Sequence, residues 1–554
     1  MAVEVGVSVD DDNPKTRFVR YLYIGKEYPV YYSGTWSSQN HFTVDKVTSV
    51  VELAADKDTE LFPITKIKQL LESGLVPKSE TLMFALAVCA RQEKSEKLRQ
   101  AAYNFIAEEC KSPEQFMLFI EYASQLSKQL SIPKHGYGHG WRNAINKWYL
   151  SHDAKSLAEC VTKYKSRHGW KHKDIIKLSH PVTKVLGSDI QAVFKYIMFG
   201  LEKAKSEFAN EPKATEVLHL IERIDNFRQC EDPVQAAGLI RTYNYKLEHV
   251  QASLIKSSEV WEALIDGSMD LPNIVKNIQR IHNLGLLTPT SQLTEKVLSA
   301  ITNKDQILKS KIRPAVILMA VKTYEDPDKI PVFTKRKLGR KNKLRNRQLP
   351  NPDKRIIDAL YSALNISFST IEPTGLRFLI TVSTESWKKK QITQVSVDTF
   401  KPWVLEAACI IALGLLRSED KVTVSAFTAT EGLNARPVHL DKNSTYQEAY
   451  EKMRVRSNVP PNLGKPILWA AHHRRKYDVF INVVDKMREK YDFTSRAMDL
   501  YKKKMNLPNT RLVNWVVGTT STYMEGKYVN DVLTVCGFDI DVPKVIEAFA
   551  KRQF

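Results

Sequence analysis

From about Asp45 to Leu364 the chain repeats one pattern: short segments in which apolar residues recur at spacings of three and four. VDKVTSVVELAAD, SETLMFALAVCAR, PEQFMLFIEYASQL, WRNAINKWYL, IQAVFKYIMFGLEKAKSEF (190–208), ATEVLHLIERIDNF and LPNIVKNIQRIHNL are examples, and RPAVILMAVKTY comes late in the series. That spacing lays one apolar stripe along a helix. A helix with one stripe is stable only against a neighbour, so the series predicts helices packed in consecutive pairs. The segments run to roughly ten to nineteen residues with short turns between them, the grammar of an alpha-solenoid of HEAT or armadillo type. No strict period repeats, so the repeats are degenerate. About three hundred residues would be large for the core of an ordinary bundle, which favours the solenoid.

Beyond Glu372-Pro373-Thr374-Gly375 the pattern changes. RFLITVS, DKVTVSAF, DVFINVVD and RLVNWVVG are strand-length apolar runs separated by helix-length stretches such as KPWVLEAACIIALGLLR. Strands alternating with helices predict a parallel sheet covered on both faces, a doubly wound α/β domain ending near Phe554. Its ligand crevice would lie at the strand C-termini. The first 45 or so residues, with RFVRYLYIGKEYPVYYSG, read as strand or loop, their tyrosines packing against another domain.

With 554 residues the chain holds at least two domains. Its 82 Lys and Arg exceed its 62 Asp and Glu, for a formal charge of +20. An excess of that size suits an anionic partner, nucleic acid or an acidic membrane surface. The six cysteines are scattered singly, which fits a reducing compartment and no disulfide framework. No signal-peptide pattern opens the chain, and no apolar run is long enough for a conventional spanning helix. These features predict a soluble intracellular protein, cytoplasmic with a nuclear pool.

The charge is most organised from Ser156 to Pro181, SLAECVTKYKSRHGWKHKDIIKLSHP. Read as a helix, Leu157, Val161 and Tyr164 share one face and Lys163 and Arg167 another. Gly169 is placed to end it. A second helix fits Lys171 to His180, stopped by Pro181, with Lys173, Lys177 and His180 on one face and Ile175 and Leu178 turned away. Two cationic stripes result, which are either solvated faces or a surface for phosphate backbones. Upstream, HGYGHGWRN places His135 and His139 four apart, but its glycines and the lack of a cysteine pair argue against zinc. It reads as a loop feeding the helix that carries Arg142 and Lys147. The densest run, KRKLGRKNKLRNR at 335–347, is a linker, a nuclear import signal or an RNA clamp.

VTKYKSRHGWKHKDIIKLSH, together with MFALAVC, SSEVWEALI, VILMAVKTY and IEPTGLRFLI, resembles the TROVE-domain ribonucleoproteins, the Ro family, over about Arg17 to Phe554. The resemblance implies an α-helical HEAT-like repeat ring (residues 1–368) and an α/β von Willebrand factor A-like doubly wound domain (residues 369–554). It implies Y RNA on a basic outer surface and single-stranded 3′ ends of misfolded noncoding RNA in a central cavity, for RNA quality control. The family's RNA-binding positions correspond here to Lys163, Arg167 and His180, with Lys165, Lys173, Lys177 and Arg142 as added phosphate contacts. A metal-binding A domain carries D-x-S-x-S, whereas this chain reads Ser383-Thr384-Glu385-Ser386-Trp387, and only Asp485 is kept in register. PPNLGKPI lacks the expected threonine. Magnesium needs near-ideal octahedral oxygen ligands, so no functional metal site and no cofactor are expected. With no phosphate loop, GxSxG elbow or HExxH, the chain is expected not to be an enzyme. A monomer is expected, with protein partners reached through the A domain. The competing reading is a protein-interaction scaffold whose charge serves solubility.

Overall fold

The structure, a computed structural model, describes residues 13–33, 42–325, 351–383, 404–427, 436–454, 461–485, 492–518 and 529–554, except 75, 77, 133–136 and 184–185. The basic run at 335–347, His135, Glu385 and Trp387 lie outside the described residues. The chain forms two compact units, one of residues 13–23 and 42–269 and the other of 1–12, 24–41 and 270–554.

In the 13–23 and 42–269 unit most of the segments with helical apolar spacing are helices. Its helices start on side-chain caps. Ser95, Ser112 and Asp153 each accept a hydrogen bond from the backbone N–H three residues on, which satisfies one of the donors a helix start leaves open. Pro113 follows its cap at the first helical position, where a missing N–H does no harm. Most helices pack against the second one along the chain: Ser79–Arg91 against Pro113–Gln129, Glu96–Glu108 against His139–Leu150, and Ser188–Phe199 against Pro212–Gln229. Consecutive helices touch as well, as Ser79–Arg91 does with Glu96–Glu108, so alternate helices stack in layers as helical repeats do. Ser79–Arg91 is buried all round from Thr81 to Arg91, and its Arg91 donates to the Tyr103 hydroxyl at 2.8 Å and the Ala123 carbonyl at 3.2 Å. Trp148 stacks on Phe116 at 3.7 Å between ring centres and donates its indole N–H to the Cys110 carbonyl.

Two readings change here. The segment 190–208 is not one helix, because Gly200 at φ 92 divides it into Ser188–Phe199 and Leu201–Glu207. The N-terminal segment opens as a helix, Pro14–Ile24, with Phe18, Tyr21, Leu22 and Tyr23 buried. Tyr21 and Tyr23 thus pack from a helix rather than from a strand or loop, while Tyr31 is buried in the strand Val30–Tyr32.

In the other unit, β1 (Val30–Tyr32) lies parallel to the last strand of the α/β sheet. The two-residue strands β2 (Ser166–Arg167) and β3 (Trp170–Lys171) belong to the helical unit. β4 (Phe378–Val382), β5 (Val422–Ala426), β6 (Arg436–Pro437), β7 (Val479–Val484), β8 (Arg511–Val516) and β9 (Val532–Cys536) follow. The sheet order is β1-β9-β8-β7-β4-β5-β6, all parallel except β6. Every residue of β4, β7, β8 and β9 is buried, as helices on both faces demand. β6 pairs only at the edge, where Pro437 can sit. The strand order reverses at β4, so the crevice position lies just past β4 and β7, at Ser383 and Asp485. Arg377 clasps Asp478 at the opposite ends of these strands, at 2.7 and 2.8 Å.

Candidate nucleic-acid interface

The helix carrying Lys163 runs from Ala154 to Lys163 and starts on Asp153. It does not continue to Arg167. Tyr164 caps it, and β2 and β3 then form a hairpin closed by His168 and Gly169, at φ 50 and 83. Two left-handed residues in succession make the type I′ turn whose twist suits a two-residue hairpin. Gly169 is left-handed as expected, but it turns a hairpin rather than ending a helix. Arg167 therefore reaches the surface from a strand. Tyr164 gathers the two charges all the same, with Lys163 Nζ 5.1 Å and the Arg167 guanidinium 5.3 Å from its ring centre. Cations are drawn to an aromatic face by its quadrupole.

The second helix spans His172–Ser179, and His180 ends it in the left-handed conformation at φ 50. Ile175 and Ile176 are buried, whereas Lys173, Lys177 and His180 are exposed. Lys173 and Lys177 make no ion pair among the described residues. Asn146 donates to the Ser179 carbonyl at 3.1 Å, tying this helix end to His139–Leu150. Arg142 is exposed one turn before Asn146 on that helix, so it points to the same side as His180. The structure thus groups Lys163 with Arg167 about Tyr164, and places Arg142, Lys173, Lys177 and His180 on the two helices that follow and flank them.

Lys165 behaves differently. It pairs with Asp225 at 3.3 Å, and Asp225 also accepts from the Tyr196 hydroxyl and lies 3.7 Å from Arg228. Arg228 in turn donates to the Thr162 carbonyl. Lys163 has Glu248 at 4.0 Å. These partners were not legible in the sequence, being 60 and more residues away. Burial first, then the Arg228 guanidinium, push His249 down to about 4, with Glu248 opposing and Lys163 adding to the push. Below the surface, His172 is buried against the Tyr149 hydroxyl at 2.8 Å, and burial lowers its pKa to about 4. A neutral imidazole thus supports a cationic skin.

Among the described residues the α/β crevice is lined at the ends of β4 and β7 by Ser383 and Asp485. Ser383 is buried and donates its backbone N–H to the Val483 carbonyl. Asp485 packs on Gly518, where a Cβ would come within 2.0 Å of its Oδ1. Phe427, Leu463, Val484 and Val516 form a buried apolar cluster at these strand ends. Among the described residues no three His, Cys, Asp or Glu side chains are placed to hold a metal ion. His139 contacts Asn143 at 3.2 Å. The cysteines are all free, and burial raises the thiol pKa of Cys110 and Cys160 to about 12. No helix among the described residues is long and apolar enough to cross a membrane.

Layered helical repeats with a basic hairpin-and-helix surface, followed in one chain by an open parallel α/β domain, define a class of protein that few folds share. The TROVE domain profile matches residues 37–375, and that of the Ro60 vWA domain matches residues 377–550. The chain belongs to the TROVE-domain Ro family. It is similar to RNA-binding protein RO60 of Caenorhabditis elegans, 22% identical over 598 residues covering 97% of this chain and 87% of that one. It is similar also to RNA-binding protein RO60 of Deinococcus radiodurans, 26% identical over 544 residues covering 97% and 93%. The crystal structure of the Deinococcus radiodurans RO (RSR) protein superposes with a TM-score of 0.79 at 24% identity, covering 98% of this chain and all of that one. The likeness bears out the expected fold of helical repeats plus an A domain.

Proposed function

We propose that this chain is the RNA-binding protein of a Ro ribonucleoprotein and acts as a monomer without a catalytic step. It binds small noncoding Y RNAs through Lys163, Arg167 and His180, with Lys165, Lys173, Lys177 and Arg142 as further phosphate contacts. Single-stranded 3′ ends of misfolded noncoding RNAs occupy a separate central cavity, which makes the protein part of RNA quality control. Residues 1–368 do this work, and residues 369–554 serve protein partners. The observation that carries the reading is the gathering of Lys163 and Arg167 about Tyr164, beside a helix whose Lys173 and Lys177 make no ion pair among the described residues. Cations on short rigid elements meet phosphates at little entropic cost, and RNA is recognised largely by shape and backbone.

The test compares a Y-like stem with an RNA bearing a free 3′ tail, over a salt series, for the wild type and a Lys163→Ala/Arg167→Ala/His180→Ser variant. The expected result is selective loss of the stem, with the logarithmic salt slope reduced by roughly 0.7–0.9 for each phosphate contact removed. Equal weak binding of any polyanion, unchanged in the variant, sinks the reading and leaves a basic scaffold.

A further inference from the structure

We propose that Tyr243, with Arg223 beside it, is a stacking shelf for one unpaired base of the RNA held by the 163–180 surface; this rests on the RNA-binding reading above. Tyr243 ends the helix Pro233–Tyr243, and Asn244 at φ 54 turns the chain away. The ring stays 43% exposed, unusual for a large aromatic side chain.

Its orientation is fixed from below by a ladder of rings. Buried Phe227 stacks on Tyr245 at 4.4 Å, and Tyr245 lies 5.6 Å from Tyr243 at an interplanar angle of 37°. The outermost ring therefore presents a face that is already ordered, which lowers the entropy lost on stacking. The Arg223 guanidinium sits over that ring at 5.1 Å, exposed and in no ion pair among the described residues.

The nearby acids are engaged elsewhere. Glu222 bonds Lys205 at 2.6 Å and His219 at 3.3 Å, Asp266 faces Arg241 at 3.7 Å, and Glu248 faces Lys163. The Glu248–Lys163 contact and the neighbouring His249, 5.7 Å from Tyr245, join the ladder to the cationic surface. An apolar protein partner seated here would bury Arg223 without a counter-charge, which is costly. A nucleobase offers a π-face to both ring and guanidinium, with its phosphate free to meet the cation.

The experiment uses the full chain and two RNAs, a fully paired stem and the same stem with a single bulged 2-aminopurine. Tyr243→Ala is expected to weaken the bulged RNA about tenfold, within the range of base–aromatic stacking, and to leave the paired stem unchanged. Quenching of 2-aminopurine fluorescence on binding should be lost in Tyr243→Ala and restored in Tyr243→Phe. Phe199, 59% exposed with Lys195 and Lys203 near its ring, provides the control; Phe199→Ala should change neither RNA. The proposal is overturned if the wild type binds both RNAs equally with no quenching. It is equally overturned if Tyr243→Ala weakens both RNAs alike, or if Phe199→Ala matches its effect. Failure of both RNAs to bind removes the RNA-binding reading itself, and the shelf with it.

Discussion

Lys322 is the charge whose removal should be felt most. It lies on the helix Pro314–Glu325 with its Nζ 3.3 Å from Glu406 and 3.0 Å from Glu325, and it donates to the Tyr361 hydroxyl at 2.9 Å. Side-chain exposure is 17% for Lys322 and 4% for Glu406. At 3.3 Å and an effective dielectric of about 20, the Coulomb attraction is on the order of 5 kcal/mol. Most of that offsets the desolvation of two buried charges, so the pair adds little beyond an apolar substitute. Breaking it is another matter. Lys322→Met leaves Glu406 charged and buried, which should destabilise this unit by about 3–5 kcal/mol. Lys322→Met/Glu406→Leu should recover most of the loss. Urea midpoints of the four members of this cycle measure the coupling. Burial alone would depress the Lys322 pKa, but Glu406, Tyr361 and Glu325 outweigh it and raise the value above that of a free lysine. The pair's contribution is therefore complete below the unfolded pKa of about 10.4 and lost only as pH rises through the folded value. The coupling should be flat from pH 6 to pH 9 on these grounds. A single variant with the wild-type midpoint, or a double variant no better than the single, would refute the reasoning.

Four further outcomes are expected. His172 has its folded pKa lowered from 6.5 to about 4, so its contribution is present above pH 6.5 and lost as pH falls toward 4, about 3 kcal/mol in all; thermal melts should show His172→Gln less acid-sensitive than wild type. Trp148→Ala removes the Phe116 stack and the bond to Cys110 and should destabilise the helical unit by about 3–5 kcal/mol in urea titrations. Magnesium or a chelator should leave the unfolding midpoint unmoved, since a ligand of the native state alone would raise it; a magnesium-dependent rise would revive the Asp485 site. In RNA titrations over salt, Arg167→Ala should lower the slope more than Lys165→Ala, because Lys165 already faces Asp225.

Much of the fold was legible because burial leaves a periodic trace. The helix Ser79–Arg91 coincides with SETLMFALAVCAR, and β4, β5, β7 and β8 fall inside the apolar runs read as strands. What escaped depends on single residues or distant partners. Gly200 breaks a segment whose apolar spacing runs straight through it. β1 takes its place beside β9 by pairing Val30 with Thr534, a contact no local pattern encodes. At the candidate site the residue types were legible, as was the exposure of Arg142, Lys165, Lys173, Lys177 and His180, but Lys163 and Arg167 are half-buried and the scaffold under Arg167 was not legible. Helical spacing fits SLAECVTKYKSR to its end, and the hairpin wins because His168 and Gly169 together satisfy a type I′ turn.

That substitution of a hairpin for a helix changes the chemistry of the surface. On a helix, Lys163 and Arg167 would lie four residues apart along the axis, about 6 Å. With Lys163 at the helix end and Arg167 on the hairpin, both converge on one tyrosine ring, while Lys163 and Lys165 rest against Glu248 and Asp225. Exposed pairs of this kind contribute roughly 0–1 kcal/mol. Exchanging such a carboxylate for a phosphate therefore loses little, while the pairing holds long side chains in order before the polyanion arrives. Among the described residues Arg167, Lys173 and Lys177 have no carboxylate to give up, so their attraction is available in full. The surface thus combines cations that are positioned with cations that are unspent, and on the proposed reading affinity for RNA follows from the second group while its placement follows from the first.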